Sequence, residues 1–319
     1  MKEYYISQLK TGEEIVDFFM IKSITVKIGS NKKQFLDLLL GDKSGEISAK
    51  KWDIADTELE GLNVIQVNDI VKIKAQVTEW NSMKQLRVLK IRKSVDQDEV
   101  DIKDYIKAAP EDPQKMFDFV MEMACSVEDE KFKAILKKVL DQNKEKLLYY
   151  PAASKNHHAE MAGLLWHIKR MLMMAVRYCE VYTELDKDLL ITGVILHDME
   201  KLEEMISDEN GIVSEYSFEG IMLGHLIQGV KKISRYAEEA GLSKEKTIML
   251  EHMILSHHYE PEFGSPKKPL FPEAEILHYL DIVDAGMYDM EDALTSTEGG
   301  SFSERVWTLD NRRLYKKDW

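Results

Sequence analysis

Nine histidines stand in a chain of 319 residues, and none precedes residue 157. Imidazole is the commonest protein ligand for catalytic divalent ions, so this crowding points to metal chemistry. The sharpest element is ILHDMEKL, residues 195–202. Adjacent His197 and Asp198 point about 100° apart on a helix, so both grip one cation only near a helix end or bend; otherwise the carboxylate bridges two ions. Lys201 follows on the same face, where an ammonium meets a phosphate oxygen. A bare His-Asp dipeptide is weak evidence. Its weight comes from company: His167 in GLLWHIKRM, His225 in GHLIQGV, His257 in ILSHHYE, and Asp281 with Asp284 in LHYLDIVDA. Each lies on an apolar helical face, where an unsatisfied polar group costs a few kcal/mol. One or two cations satisfy them all.

The elements that must position these residues begin after an all-β start. Apolar alternation and turn signals place five strands at 21–28, 34–42, 45–52, 69–80 and 85–93, with a loop or short helix around 53–63. Five short strands in so few residues suit a closed barrel of the OB-fold type over 1–95. An acidic stretch poor in bulky apolar residues, closed by Pro110 and Pro113, makes 96–113 a linker. Helical spacing then covers 116–127, 132–143, 158–182, 187–206, 218–241, 243–258 and 273–294, with Gly241 as a C-cap. The expected architecture is therefore an N-terminal barrel followed by an all-α domain over 114–319.

Composition narrows the class. Apolar residues make up 44% and charged residues 31%, a globular balance. No apolar run approaches the ~20 residues of a membrane span, and the first residues are too polar for a signal peptide. Two cysteines cannot build a disulfide framework, which suggests the cytoplasm and no membrane partner. The net charge is −14, yet residues 1–95 hold 16 basic and 13 acidic residues and the remainder 27 and 44. Any nucleic-acid binding should then be local and salt-sensitive.

The order His, His-Asp, His, His-His, Asp resembles that of HD-domain metal-dependent phosphohydrolases. The segments KNHHAEMAGLLWHIKRM, ILHDMEKLEE, GHLIQGV, LSHHYEPEFGSPKKP and EAEILHYLDIVDA are similar to those of the YhaM family of bacterial 3′-to-5′ exoribonucleases. LDLLLGDKSGEISAKKW resembles the family's nucleic-acid-binding barrel, and SFSERVWTLDNRRLYKK also suits it. One departure is Tyr259, where the family pattern leads one to expect a small residue after the paired histidines.

The resemblance implies that His167, His197, Asp198 and Asp281 hold one metal, and that His225 and His257 hold a second with Asp198 bridging. Two such ions activate water and stabilise both oxygens of an in-line displacement. The implied reaction releases nucleoside monophosphates from the 3′ end of single-stranded RNA, with DNA as a further candidate. Mixed N/O ligands favour Mn²⁺, with Fe²⁺, Co²⁺ or Zn²⁺ as alternatives. Asp198 and Lys201 carry the catalytic roles. Asp284 is either the alternative ligand to Asp281 or its orienter, and His258 either ligates or donates to phosphate. Lys155, His157, His158 and Arg170 are candidates to grip the terminal phosphate or ribose. His278 and His252 read as structural. In the barrel, Phe35, Trp52 and Trp80 with Lys51 are candidate base and phosphate contacts. A homo-oligomer is compatible with the barrel. The competing reading is an HD phosphohydrolase of small nucleotides whose barrel serves regulation or assembly; a third is a binding protein with structural metals.

Overall fold

The computed structural model describes residues 2–29, 33–52, 54, 62, 64–80, 83–154, 158–295 and 297–319. The chain divides into two compact units, Met1–Lys107 and Ala108–Trp319.

The first unit is a closed barrel of β1 (Glu14–Ile28), β2 (Gln34–Asp42), β3 (Gly45–Lys51), β4 (Ile70–Trp80) and β5 (Met83–Lys93), in the order β1-β2-β3-β5-β4. Parallel pairing of β3 with β5, Ser48 opposite Gln85, closes a ladder that is otherwise antiparallel, the arrangement of an OB-fold. Period-two burial drives it: Val71, Ile73, Ala75 and Val77 of β4 face the core. Strand β1 begins seven residues before the sequence expectation. Its first half pairs with β4 and its second with β2, with a register shift between Ile21 and Ser23. Around that bend Phe18, Phe19, Met20 and Ile21 are all buried, so alternation fails where the strand changes partner. The segment expected as a linker is divided. Asp104 accepts hydrogen bonds from the Tyr5 hydroxyl at 2.7 Å and from Lys43 at 2.8 Å, and Tyr105 is buried, so 96–107 packs with the barrel. The loop expected at 53–63 lies largely outside the described residues.

The second unit holds α1 (Pro113–Ser126), α2 (Glu130–Leu147), α3 (Gly163–Val181), α4 (Lys187–Leu196), the single turn α5 (Lys201–Glu204), α6 (Phe218–Ala240), α7 (Lys244–Ser256) and α8 (Pro272–Thr295). Asp112, Asp129, Asp186, Ser217 and Ser243 cap the starts of α1, α2, α4, α6 and α7 through their side chains. Helix α4 is buried at every position from Leu189 to Leu196, as befits a helix that is apolar all round, and it packs against α1, α2, α3, α7 and α8. The unit is helical but not purely so. Two hairpins, β6 (Met205–Ser207) with β7 (Val213–Tyr216) and β8 (Phe302–Val306) with β9 (Arg312–Tyr315), join the helices. The helix expected over 187–206 breaks at His197–Glu200, and the one expected from 158 starts at Gly163.

Two glycines set different limits. Gly241 ends α6 at φ 63°, with open space where a Cβ would stand. A Cβ on Gly163 would lie 2.1 Å from the carbonyl oxygen of His158. Gly241→Ala should cost about 1 kcal/mol, lowering the melting temperature by ~2–4 °C. Gly163→Ala should cost several times more, because backbone must move; calorimetric melts of the two variants check the ranking.

Candidate metal centre

The core of the helical unit delivers five imidazoles and two carboxylates to one place. Helix α4 ends at Leu196, so His197 is its C-cap and Asp198 sits in the following turn. That is the helix end the dipeptide needs. His257 is likewise the C-cap of α7. His167 comes from the second turn of α3 and Asp281 from α8. His225 follows Gly224, whose φ of 67° and ψ of 163° break α6 in two.

Each imidazole is held by its Nδ1. His197 Nδ1 donates to the Val194 carbonyl at 2.8 Å, His257 Nδ1 to that of Ile254 at 2.8 Å, and His258 Nδ1 to that of Phe263 at 2.7 Å. His167 Nδ1 lies 2.7 Å from Asp284 Oδ2 and His225 Nδ1 3.0 Å from Glu204 Oε2. A carbonyl or carboxylate can only accept, so these nitrogens carry protons, and the opposite ring nitrogens, Nε2, face the centre.

Asp198 divides the group. Its Oδ2 lies 3.4 Å from His197 Nε2 and 3.9 Å from His167 Nε2, while Oδ1 lies 3.4 Å from His225 Nε2 and 3.7 Å from His257 Nε2. Asp281 Oδ1 stands 3.4 Å from His167 Nε2. Two ligands each about 2.1 Å from an ion are separated by roughly 3–3.5 Å, so this is ligand spacing. Asp198 Oδ1, His225 Nε2 and His257 Nε2 are buried without a hydrogen-bond partner. Acceptors face acceptors there, an arrangement that divalent cations fit. His167, His197 and Asp198 form one set able to hold an ion, and Asp198, His225, His257 and His258 another.

Electrostatics follow this geometry. Burial alone would raise the Asp198 carboxyl, but Lys201 and His197 hold it well below its usual range. Lys201 Nζ is 2.6 Å from Asp198 Oδ2, and although burial lowers the ammonium, Asp198 keeps it above its ordinary value. Burial and neighbouring His258 push His257 down to about 3, so its ring stays neutral and able to ligate. Burial, joined by His225, lowers His258 in the same way. A neutral His258 with a donating Nδ1 presents a lone pair, which fits a ligand better than a phosphate donor.

Several expected contacts stand elsewhere. Arg170 Nε is 2.6 Å from Asp284 Oδ1, and its guanidinium also reaches Glu291, so it secures Asp284 rather than a substrate phosphate. His158 is fully buried with Nε2 2.7 Å from the same carboxylate, so it too is no surface grip. Asp284 is thereby committed to His158, His167 and Arg170, which leaves Asp281 facing the centre. Lys155 and His157 lie outside the described residues. His278 Nδ1 donates to the His257 carbonyl at 2.6 Å and stacks on Tyr259. Tyr259 itself has φ 66°, a backbone region that favours glycine, which is why a small residue is expected there. His252 packs on Phe271 and accepts from the Leu270 amide. The residue that sequence reasoning missed is Glu204, which accepts both the His225 amide and its Nδ1. A glycine just before His225 in a helical run was the available signal.

In the barrel, Phe35 and Trp52 stack with ring centroids 4.4 Å apart, and Trp52 and Trp80 are exposed. Lys51 is corrected: at 5% exposure it lies on the inner face of β3, the side of Ala49 and Ile47. Lys50 takes the outer face, lining a groove with Trp52, Thr78, Gln85, Leu86 and Arg87.

The HD domain family matches residues 164–286. A curated relative, "3'-5' exoribonuclease YhaM" of Geobacillus sp. (strain WCH70), is 38% identical over 311 residues, covering 98% of this chain and 94% of its own length. Among solved structures, the second OB-fold domain of replication protein A from Methanococcus maripaludis aligns at 16% identity over 31% of this chain and 98% of its own, with a TM-score of 0.24. A replication protein A heterotrimer bound to ssDNA aligns at 15% identity over 30% of this chain and 69% of its own, with a TM-score of 0.22.

Calorimetric titration with Mn²⁺ should resolve two sites per chain. Glu204→Gln should weaken one of them ~10–100-fold and spare the other, because it acts through His225 alone. Equal loss at both sites would mean that Glu204 serves the fold rather than one ligand.

Proposed function

The chain belongs to the YhaM family of 3′-5′ exoribonucleases, and from that membership we propose that it shortens single-stranded RNA from the 3′ end, releasing nucleoside monophosphates. The observation that carries the reading is the division of Asp198 between two sets of imidazole nitrogens inside a buried core. His167, His197, Asp198 and Asp281 would hold one divalent cation, and Asp198, His225, His257 and His258 a second. Such a pair would supply a nucleophilic water at neutral pH and stabilise charge on the phosphodiester oxygens. The mixed N/O donor set favours manganese.

The chain's own residues do the rest. Lys201, held as an ammonium by Asp198, presents positive charge where a phosphate oxygen gains negative charge in the transition state. Arg170 and His158 fix Asp284, and through it the ring of His167. The barrel would hold the upstream strand. Its groove brings Lys50 and Arg87 opposite one another across β3 and β5, beside the exposed face of Trp52. Aromatic faces and cations along one groove are what single strands require. A barrel with these features favours a polymer over the small-nucleotide alternative, whose substrate needs no strand grip. The working compartment is the cytoplasm, a reading supported by the free thiols Cys125 and Cys179. No described helix is long and apolar enough to cross a membrane.

The test is a gel time course on 5′-labelled single-stranded RNA with Mn²⁺, run beside DNA of the same sequence. A descending ladder is expected, lost on chelation and in Asp198→Asn, and slowed roughly 10²–10³-fold in Lys201→Met. Trp52→Ala should weaken strand binding by about 1–3 kcal/mol and leave hydrolysis of dinucleotides unchanged. RNA that stays intact under metal-replete wild type, while small nucleotides are hydrolysed, would replace this reading with the alternative.

A further inference from the structure

The C-terminal hairpin reverses the charge of its unit. Residues 302–317 carry Arg305, Arg312, Arg313, Lys316 and Lys317 against only Glu304 and Asp310. Among the described residues no carboxylate forms an ion pair with any of the five cations. Most of their polar contacts are to carbonyl oxygens. Arg313 Nε donates to Ser303, Arg305 to Asn311, Arg312 to Leu309 and Lys316 to Leu294, so the side chains are positioned without being neutralised.

The register sharpens the point. Phe302 pairs with Tyr315 and Arg305 with Arg313. Tyr315 and Arg313 are two apart and share a face, and a register shift between Phe302 and Arg305 brings those two, three apart on β8, opposite them. The two rings are 5.3 Å apart, and the Arg313 guanidinium lies 5.7 Å from the centre of Phe302. Phe302 is 56% and Tyr315 45% exposed, and both arginines are exposed. The other face carries buried Ser303, with Val306 and Leu314 partly covered, and the hairpin packs on α8. Like charges directly opposite one another destabilise a ladder. Two arginines at paired positions, one of them beside exposed aromatic rings, suit an anion with flat bases.

We infer that this outward face is a second binding surface for single-stranded polynucleotide, engaging the substrate upstream of the bond being cut. The inference rests on the exoribonuclease reading for its substrate. Helix α8 sets the reach. It carries Asp281 at the centre, and Lys316 anchors the hairpin to the Leu294 carbonyl thirteen residues further on. At ~1.5 Å per residue that is about 20 Å, or roughly six stacked nucleotides at ~3.4 Å each. Strands shorter than this cannot touch both places.

The experiment compares the full-length, Mn²⁺-loaded chain with the double variant Arg305→Ala/Arg313→Ala. Binding of a 20-nucleotide RNA, protected by phosphorothioates at its 3′ end, is read by fluorescence anisotropy. Hydrolysis of an unmodified 20-mer and of a trinucleotide is read in parallel. The variant should bind the 20-mer at least tenfold more weakly, with the slope of log affinity against log salt shallower by ~1.4. Its KM for the 20-mer should rise while trinucleotide turnover stays unchanged. Arg305→Lys/Arg313→Lys should restore most of the binding, which separates charge from damage to the fold. Unchanged 20-mer binding, or equal losses on both substrates, would overturn the inference. So would a change in molar mass by light scattering with RNA affinity intact, since the face would then join copies of the chain. If wild type shortens no RNA yet binds the 20-mer through these arginines, the nuclease reading fails and the surface stands.

Discussion

A buried cluster of polar atoms without hydrogen-bond partners governs the helical unit. Asp198 Oδ1 faces the Nε2 atoms of His225 and His257 at 3.4 and 3.7 Å, and none of the three has a donor. Each such atom costs about 1–3 kcal/mol when left unsatisfied in a dry interior. The fold sustains that cost because it is distributed around a large apolar core, with α4 buried at every position from Leu189 to Leu196 and sealed by α3, α7 and α8. Rigid packing on every side prevents the ligands from collapsing toward one another. The positions of these side chains are thus set by the packing of the helices around them.

Helix termini solve the orientation problem with groups they must satisfy anyway. The last carbonyls of a helix lack intrahelical donors. His197 and His257, both C-caps, donate Nδ1 to carbonyls three residues back, Val194 and Ile254. One hydrogen bond therefore satisfies a helix end, fixes a tautomer and aims Nε2 at the centre. His225 achieves the same at the opposite kind of end. The break at Gly224 opens a new helix start, and Glu204 accepts both its amide and the Nδ1 of the ring. Breaking α6 is costly in backbone terms, yet it is what lets a helical residue present its side chain sideways.

Which side chains meet was largely legible in the sequence, and the reasons differ by residue. His197 and Asp198 were readable because adjacent positions on a continuous helix diverge, so a shared role demands a helix end, and α4 ends there. The barrel was readable from alternation in β4, whereas β1 was cut short because its alternation fails at the bend near Ile21. Arg170 and His158 were misread because type and proximity in sequence say only that a cation lies near the site. Their commitment to Asp284 depends on α8 crossing α3, a tertiary fact with no local signature. Lys51 was misread by one residue of strand parity, which moves a side chain from the outer face to the inner one. The C-terminal hairpin carried no helical spacing, yet its composition alone did not reveal that Arg305 and Arg313 would be register partners.

An acidic protein that handles a polyanion has to confine its attraction. The chain carries 57 carboxylates against 43 lysines and arginines, a surplus that repels nucleic acid at long range. Physiological salt screens that field beyond ~8 Å, so a few cations placed in direct contact with a strand still prevail locally. Sheets are well suited to supplying them. Lys50 stands opposite Arg87 in the barrel, and Arg305 opposite Arg313 in the hairpin, each pair beside exposed aromatic rings. In both places strand pairing sets two like charges at opposed positions, a repulsion that a ligand of opposite sign relieves. The same logic runs through the centre, where folding gathers lone pairs that only cations satisfy. The acidic remainder then limits loose binding elsewhere, and it favours departure of anionic products once the bond to the strand is cut.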